Sequence, residues 1–596
     1  MAQQSKATRE WSSNAIQVLR ARYLRRDARG MVTETPKQMF ERVARAVSAA
    51  ELLYGPASSA QFWERRFHAM LQSLDFLPNS PTLMNAGMHP GQLSACFVLP
   101  IEDTLESIFA ALSHMATVQS SGGGTGFSFS RLRSRGQVLR STGGVSSGPV
   151  SFMKIFDSAT EHIRLGGRRR GANMAVLRVD HPDILEFIDC KRSKNVLSNF
   201  NLSVAVTDAF MSAVASGGST QLRDPVGGVV GRLPARRIFE RICEAAWESG
   251  DPGLVFADTI HRGNPTPGDG VIESTNPCGE VPLLPWESCN LGSVNLTRFI
   301  KTRATQKELD WDRLRQTVHD AVRFLDDVIS VNRYPLPEVQ HATEQRRKIG
   351  LGVMGFAEAC ILSGIPYDSK AALRFADKLM RFISGEARRA SAALAAERGA
   401  FPAWERSKYA SSGVKLRNAT MTSIAPTGTI SLIAGTSPGI EPLFGLAYRR
   451  VGVLEGQSLV ELNPIFAHSL GPSAAARKVM EHVMRTGSVA DAPGCSPQVK
   501  RLFVTALQVM PEQHVRIQAA FQKHVDNAVS KTVNLPSDAS VEVVSRVYQL
   551  AHQLGCKGIT VFRHGSRDEQ VMRLGVAEEP YEHEYFTRCD PGACKL

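Results

Sequence analysis

Between residues 11 and 75 the apolar side chains recur at helical spacing, as in Ile16, Leu19 and Tyr23 and then Met39, Phe40, Val43 and Ala46. Such spacing lays one apolar stripe along each helix, so a helical region is predicted over 1–75. The pattern breaks at Leu77-Pro78-Asn79-Ser80-Pro81-Thr82 into turn residues, with the hydroxyls of Ser80 and Thr82 outside any helix. The apolar run from Leu93 to Leu99, closed by Pro100, predicts a buried strand that ends by Asp103. Helical spacing dominates from about 308 to 400, punctuated by glycines at 350, 352 and 355. At 420–431 a β-branched stretch runs into a small-residue turn that contains Pro426, Thr427, Gly428, Thr429 and Ile430. Helices return from 500, with one predicted across Gln522–Ala528, before a strand-like Gly558–Phe562. Beyond 574 the chain turns acidic and loses its periodicity, so residues 575–596 are expected to form a flexible tail. The body between, 76–574, is expected to be one large catalytic domain.

Composition narrows the class. The chain has 596 residues, 43% hydrophobic and 21% charged, and no apolar run of bilayer length. Its first residues, Met1 to Lys6, lead into a charged segment without the apolar core of a secretory signal, so the cytoplasm is expected. Ten irregularly spaced cysteines do not make a disulfide framework; in a reducing compartment they are core residues, ligands or redox groups. The net charge of +13 raises a nucleic-acid reading. Its clusters, Arg25-Arg26, Arg168 to Arg170 and Arg346 to Lys348, are short and scattered, which favours small anionic ligands or a solvated face.

The chemistry concentrates at Asn276-Pro277-Cys278-Gly279-Glu280. Pro277 disfavours a helix there and favours an extended or loop backbone; in an extended one, residues at alternate positions share a face, so Asn276, Cys278 and Glu280 are expected to point together. Gly279 would leave room for a close ligand. Further thiols stand at Cys96 and at Cys289, within Trp286 to Gly292. The glycines from 122 to 126, followed by Arg131, Arg133, Arg135 and Arg140, read as an anion cradle or a flexible loop, the arginines favouring a nucleotide phosphate. Leu165 to Asn173, with Arg168, Arg169 and Arg170, repeats that chemistry as a cationic loop. The 420–431 turn reads as a phosphate pocket at a helix start, or as a structural turn. The tail pair Cys589 and Cys594, with Pro591 and Gly592 between them, suits redox shuttling; a metal site would need two more ligands.

Together Ser94-Ala95-Cys96-Phe97, Asn276 to Glu280, Ser288-Cys289-Asn290-Leu291, Pro426 to Ser431 and the terminal cysteine pair resemble the catalytic subunit of a ribonucleotide reductase, of the adenosylcobalamin-dependent class II, over nearly the whole chain. The resemblance implies an α/β fold, a ten-stranded barrel of two antiparallel five-stranded half-sheets with Cys278 on a loop threading it. It implies that Cys278 becomes a thiyl radical and takes hydrogen from C3′ of the ribose, that Glu280 is the base, that Asn276 orients the sugar, and that Cys96 and Cys289 end as a disulfide. Cys589 and Cys594 would re-reduce that pair and be recharged by a thioredoxin- or glutaredoxin-like protein. Substrate phosphates would rest on Ser80 and the turn Pro426, Thr427, Gly428, Thr429 and Ile430, and Ala95 would also bind the substrate. Asp103, Arg133, Arg140, Arg169 and Arg170 would bind a deoxynucleoside triphosphate effector at the interface of a homodimer. The region before 75 is expected to lack an ATP-binding regulatory domain, and with it an overall switch by dATP.

Two motifs that would mark another radical source are missing. Relatives served by a separate radical subunit use two adjacent tyrosines near the end of the chain, where this one reads Thr560-Val561-Phe562-Arg563, and no adjacent tyrosine pair occurs anywhere. The Arg-Val-Cys-Gly-Tyr context of glycyl-radical relatives is absent too. A bound cofactor, adenosylcobalamin, therefore fits. The Asp-x-His-x-x-Gly motif of some other cobalamin enzymes is also absent, as it is from class II, so the cobalamin contacts are not specified. The two competing readings are a subunit with a separate radical generator, which would need the tyrosines, and a non-catalytic basic nucleotide-binding protein, which has no use for five cysteines in these positions. The resemblance favours diphosphate substrates, with no role for nucleic acid or membrane.

Overall fold

The computed structural model describes residues 11–138, 143–165, 169–193, 196–226, 228–303, 306–454, 457–567 and 572–576. It divides into two units, one of residues 1–442 and 509–568, the other of 443–508 and 569–596.

In the first unit the helices Ser13–Val18, Pro36–Ser48 and Ala57–Gln72 come first. The second shows how the sequence writes a helix start: Thr35 and Gln38 form a reciprocal capping box and Pro36 takes the first turn. Its stripe of Met39, Phe40, Val43 and Val47 is fully buried.

Ten strands then form one mixed sheet, numbered here in chain order: β1 (Phe76–Pro78), β2 (Cys96–Val98), β3 (Gly124–Ser128), β4 (Asn173–Arg178), β5 (Phe200–Val206), β6 (Gly253–Phe256), β7 (Ser288–Asn295), β8 (Ile349–Met354), β9 (Thr532–Leu535) and β10 (Gly558–Arg563). Strands β2 to β6 are parallel neighbours in chain order. At one end β7 pairs antiparallel with β2, and at the other β10 pairs antiparallel with β6. Beyond them β8 runs parallel to β7, β9 parallel to β10, and β1 antiparallel to β7. Parallel bridges continue from Leu351 of β8 to Thr422, and from Ile424 to Val529 just ahead of β9.

Alternation along the strands separates two layers. Phe200, Leu202, Val204 and Val206 of β5 pack against helices such as Ala235–Ser249 in the large core. The opposite face gives a second cluster, in which Met174, Val176, Ala205 and Val255 meet Ile260, Ile272 and Leu284. Apolar residues on both faces are what a covered parallel sheet requires.

One expected helix is cut short. Pro511–Gln522 is helical, but residues 523–531 are not. Asp526 Oδ2 accepts from the Met421 and Thr422 amides, and Asn527 Nδ2 donates to the carbonyls of Ile349 and Thr422. These short polar side chains satisfy neighbouring backbone in place of a further helical turn.

The second unit carries a three-stranded antiparallel sheet, Gln457–Leu462 on Ala447–Leu454 on Met572–Leu574, with the helices Pro464–Leu470 and Ala474–Thr486. Among the described residues no helix is long and apolar enough to cross a membrane.

Candidate active site

The central pentapeptide forms the tip of a short hairpin. Ser274 and Thr275 pair antiparallel with Leu283 and Pro282, and residues 276–281 make the loop. The Gly279 amide donates to the Asn276 carbonyl at 3.0 Å, which closes a β-turn with Pro277 and Cys278 at its centre. Proline at the first central position fits that turn, and Gly279 follows with φ +79°, a conformation costly for other residues. Of the extended or loop backbone expected here, the structure takes a turn. Cys278 is exposed at its tip, whereas Asn276 and Glu280 are each 2% exposed. Open space surrounds Gly279, so its φ is the constraint and clearance is available as well.

Both walls of the sheet hold this hairpin. Asn276 Oδ1 accepts from the Val281 amide at 3.0 Å. The Glu280 carbonyl accepts from Ser423 Oγ and from the Ala528 amide, both at 2.9 Å. Opposite, Asn201 Nδ2 of β5 donates to the Pro277 carbonyl at 2.8 Å. A Cβ at Gly126 would lie 1.7 Å from the Thr275 carbonyl oxygen, and one at Gly124 would lie 3.0 Å from Pro277 Cγ. The glycine run expected as an anion cradle is thus strand β3, and these two glycines let the hairpin pass. Gly123 is tight for another reason, since its Cβ would strike Phe97 and Val118.

Cys96 and Cys289 sit directly opposite each other on β2 and β7, not joined in a disulfide. Both are buried and share one apolar cluster with Val98, Leu291, Ala425 and the hairpin residues Val281 and Leu283. Burial pushes the Cys289 thiol well above its ordinary pKa; the Glu287 and Glu280 charges add to this and Lys348 opposes it. Opposite positions on paired strands place side chains within disulfide reach. Ser94, Ser288, Thr343 and Asn332 brace the two strands in a buried hydrogen-bond chain.

Ser80 and the helix that follows the 426–430 turn both border β1. Ser80 opens the helix Ser80–Asn85 just after β1, and its Oγ meets Tyr23 Oη at 2.7 Å. The helix Gly428–Ala434 packs against β1 and the helix Ser13–Val18. Thr427 precedes it with φ +54°, its Oγ1 accepting from the Gly439 amide at 2.7 Å, so no side chain caps that helix. Pro426 and Thr429 are partly exposed, Gly428 is exposed, and Ile430 is buried. Ala95 is partly exposed between the two regions in the chain, its carbonyl accepting from the Gly124 amide.

Of the effector candidates, Asp103 and Arg133 form an ion pair, Nε to Oδ2 at 2.6 Å, ahead of the helix Leu105–Ser120. Arg131 beside them pairs with Glu102 and with Glu273, at the foot of the hairpin. Arg169 and Arg170 pair in backbone register with Leu165 and Arg164. Arg140, Cys589 and Cys594 lie outside the described residues. Sequence reasoning missed Asn201, Ser423 and the two clearance glycines. Asn201 had a signal, a polar residue between the buried Phe200 and Leu202 of an apolar strand; Ser423 had none.

Comparison with known proteins fits this geometry. A model described as the ribonucleotide reductase barrel domain matches residues 94–416 and 412–562, and one described as the all-alpha domain of the same enzymes matches 9–91. The chain belongs to the ribonucleotide reductase family. It is 53% identical, over 94% of its own length and 80% of the relative, to the vitamin B12-dependent ribonucleoside-diphosphate reductase of Mycobacterium tuberculosis strain CDC 1551. A protein of the same name from Thermoplasma acidophilum is 47% identical over 96% of this chain and 81% of its own. A vitamin B12-dependent ribonucleotide reductase of Streptomyces clavuligerus is 30% identical over 96% of this chain. Class II is therefore the branch in which the chain falls.

Proposed function

We propose that this protein reduces ribonucleoside diphosphates to 2′-deoxyribonucleotides with adenosylcobalamin as cofactor, supplying precursors for DNA. The observation that carries the reading is one exposed thiol, Cys278, at the tip of a hairpin whose Val281 and Leu283 pack with a buried cross-strand pair of thiols. An exposed sulfur on a fixed stem suits a cofactor too large to enter the sheet's interior. When bound, adenosylcobalamin supplies the one-electron oxidation of the Cys278 thiol.

The chain's own groups divide the remaining work. Cys278 takes the hydrogen from C3′ and later returns it. Glu280 accepts the proton of the 3′-hydroxyl, and Asn276, its Oδ1 already engaged by Val281, offers Nδ2 to the sugar hydroxyls. Cys96 protonates the departing 2′-hydroxyl, which leaves as water. The two electrons come from Cys96 and Cys289, whose thiols become one disulfide. Cys589 and Cys594 then exchange with that disulfide and are recharged by a thioredoxin- or glutaredoxin-like protein. Substrate phosphates rest on Ser80 and the start of the helix after Pro426, reached by the backbone of Thr427, Gly428, Thr429 and Ile430 and the hydroxyl of Thr429, while Ala95 contacts the substrate.

Specificity control is assigned to Asp103, Arg133, Arg140, Arg169 and Arg170, binding a deoxynucleoside triphosphate at a homodimer interface. Leu105, Phe109 and Ile155, which are 60%, 50% and 40% exposed on two packed helices beside Asp103, support such an interface. The five parallel strands β2 to β6, the antiparallel joints to β7 and β10, and the bridges through Thr422, Ile424 and Val529 support closure into a barrel of two antiparallel halves. The helical region 1–75, the catalytic domain 76–574 and the redox tail 575–596 are assigned on the same reading.

The test is turnover of a ribonucleoside diphosphate by the purified chain with a dithiol, with and without adenosylcobalamin. Product is expected only with the cofactor and none from Cys278→Ser, which still binds nucleotide. Cofactor-independent product, or substantial activity in Cys278→Ser, overturns the reading.

A further inference from the structure

The tip of the hairpin is tethered at two carbonyls. On one wall Ser423 and the Ala528 amide hold the carbonyl of Glu280. On the other, Asn201 Nδ2 reaches the carbonyl of Pro277 at 2.8 Å. That second carbonyl belongs to the peptide group whose nitrogen is that of Cys278, and proline offers no N–H of its own. Its orientation therefore sets the Cα–Cβ direction of the cysteine, and with it the place of the sulfur.

Asn201 is not part of the packing around it. Its neighbours Phe200 and Leu202 are each 1% exposed in the outer core, while Asn201, on the alternate face of β5, is exposed at the strand's first turn. An exposed amide at a strand end, spent on one bond into the loop, is a handle on that loop.

We propose that Asn201 is a positioning residue for Cys278, aligning the sulfur with the hydrogen it abstracts; this rests on the reading of Cys278 as the hydrogen-abstracting thiol. Without that donor the turn keeps its Gly279-to-Asn276 bond and its Val281-to-Asn276 bond, but the Pro277–Cys278 peptide is free to rotate. Abstraction depends on a near-attack distance, where a displacement of about 1 Å costs on the order of 100-fold.

The test uses full-length Asn201→Ala and Asn201→Asp, the latter nearly isosteric in case the alanine variant fails to fold. With adenosylcobalamin and a ribonucleoside diphosphate, kcat is expected to fall by about tenfold or more while KM stays within about twofold. Without cofactor, alkylation of Cys278 by iodoacetamide, followed by peptide mass, is expected to quicken several-fold. In Asn201→Asp the ionised carboxylate faces a carbonyl and cannot donate, so its activity relative to wild type is expected to rise as pH falls and the carboxyl regains a proton. Wild-type kcat or wild-type alkylation in a folded variant overturns the proposal. A wild-type chain that binds nucleotide but does not turn over counts against the functional reading instead, and the alkylation rates alone then decide whether Asn201 fixes Cys278.

Discussion

At the scale of single residues, function here depends on what is missing as much as on what is present. Gly126 faces the hairpin stem so closely that a methyl group there would overlap the Thr275 carbonyl. In a strand with Thr125 fully buried behind it, the backbone has little room to retreat, so the hairpin must move instead. Gly126→Ala is therefore expected to displace the Cys278 tip, destabilising the protein by about 1–3 kcal/mol and lowering turnover far more than that loss of folded protein explains. Thermal unfolding and kcat measured on the same preparation check this; wild-type kcat would mean that the stem is not seated on β3. The sequence reading took this glycine for an anion contact because a glycine run carries no mark of what passes over it. Cys278, Asn276 and Glu280 were legible as a group, but their shared face was not: the β-turn exposes the cysteine alone and buries its neighbours.

Among elements, the pairing of β2 with β7 does the most for chemistry. The register sets Cys96 against Cys289, although almost two hundred residues separate them in the chain. Because both thiols are buried, they are shielded from bulk oxidant, and the expected product of one turnover without reductant is an internal Cys96–Cys289 disulfide. Peptide mapping after a single turnover of the cofactor-loaded chain checks this. Cys96→Ser and Cys289→Ser should each remove both the disulfide and multiple turnover, and a disulfide from either to Cys278 would contradict the assignment. The elements themselves were read unevenly. The capped helices and the Leu93–Leu99 strand carried local signals, whereas a register between distant strands has no local signal, and the helix expected at 523–528 lost to side-chain bonds with a strand a hundred residues away. Such long-range polar bonds override local propensity wherever they form.

Over the first unit as a whole, the N-terminal helices are joined to the sheet's helices through a buried ionic network. Arg398, fully buried, bonds Glu51 and Asp327 at 2.6 Å each and Asp326 at 3.2 Å. Asp326 also meets Arg347 and Arg417, while Glu51 takes Arg323 as well. Burial pushes the Asp327 carboxyl well above the usual carboxylate range, the charges of Glu51 and Asp326 push it further, and Arg398 only partly offsets them. A carboxyl raised in the folded state binds its proton more tightly there than in the unfolded chain. Its contribution to stability is fully present below the unfolded value near 4 and is lost as pH rises, at about 1.4 kcal/mol per pH unit until the folded value is reached. Asp327→Asn supplies the neutral form permanently and abolishes that loss. Its thermal midpoint relative to wild type is therefore expected to be higher at pH 7 than at pH 5, where a plain loss of hydrogen bonding would lower it equally at both. Arg398→Met is the contrasting variant: it takes one cation from Glu51 and Asp326, which keep Arg323, Arg347 and Arg417, removes the one paired with Asp327, and is expected to cost about 3–5 kcal/mol. An Asp327→Asn variant whose midpoint falls more at pH 7 than at pH 5 would show that Asp327 is ionised, and that the network holds the N-terminal helices as a fully charged cluster.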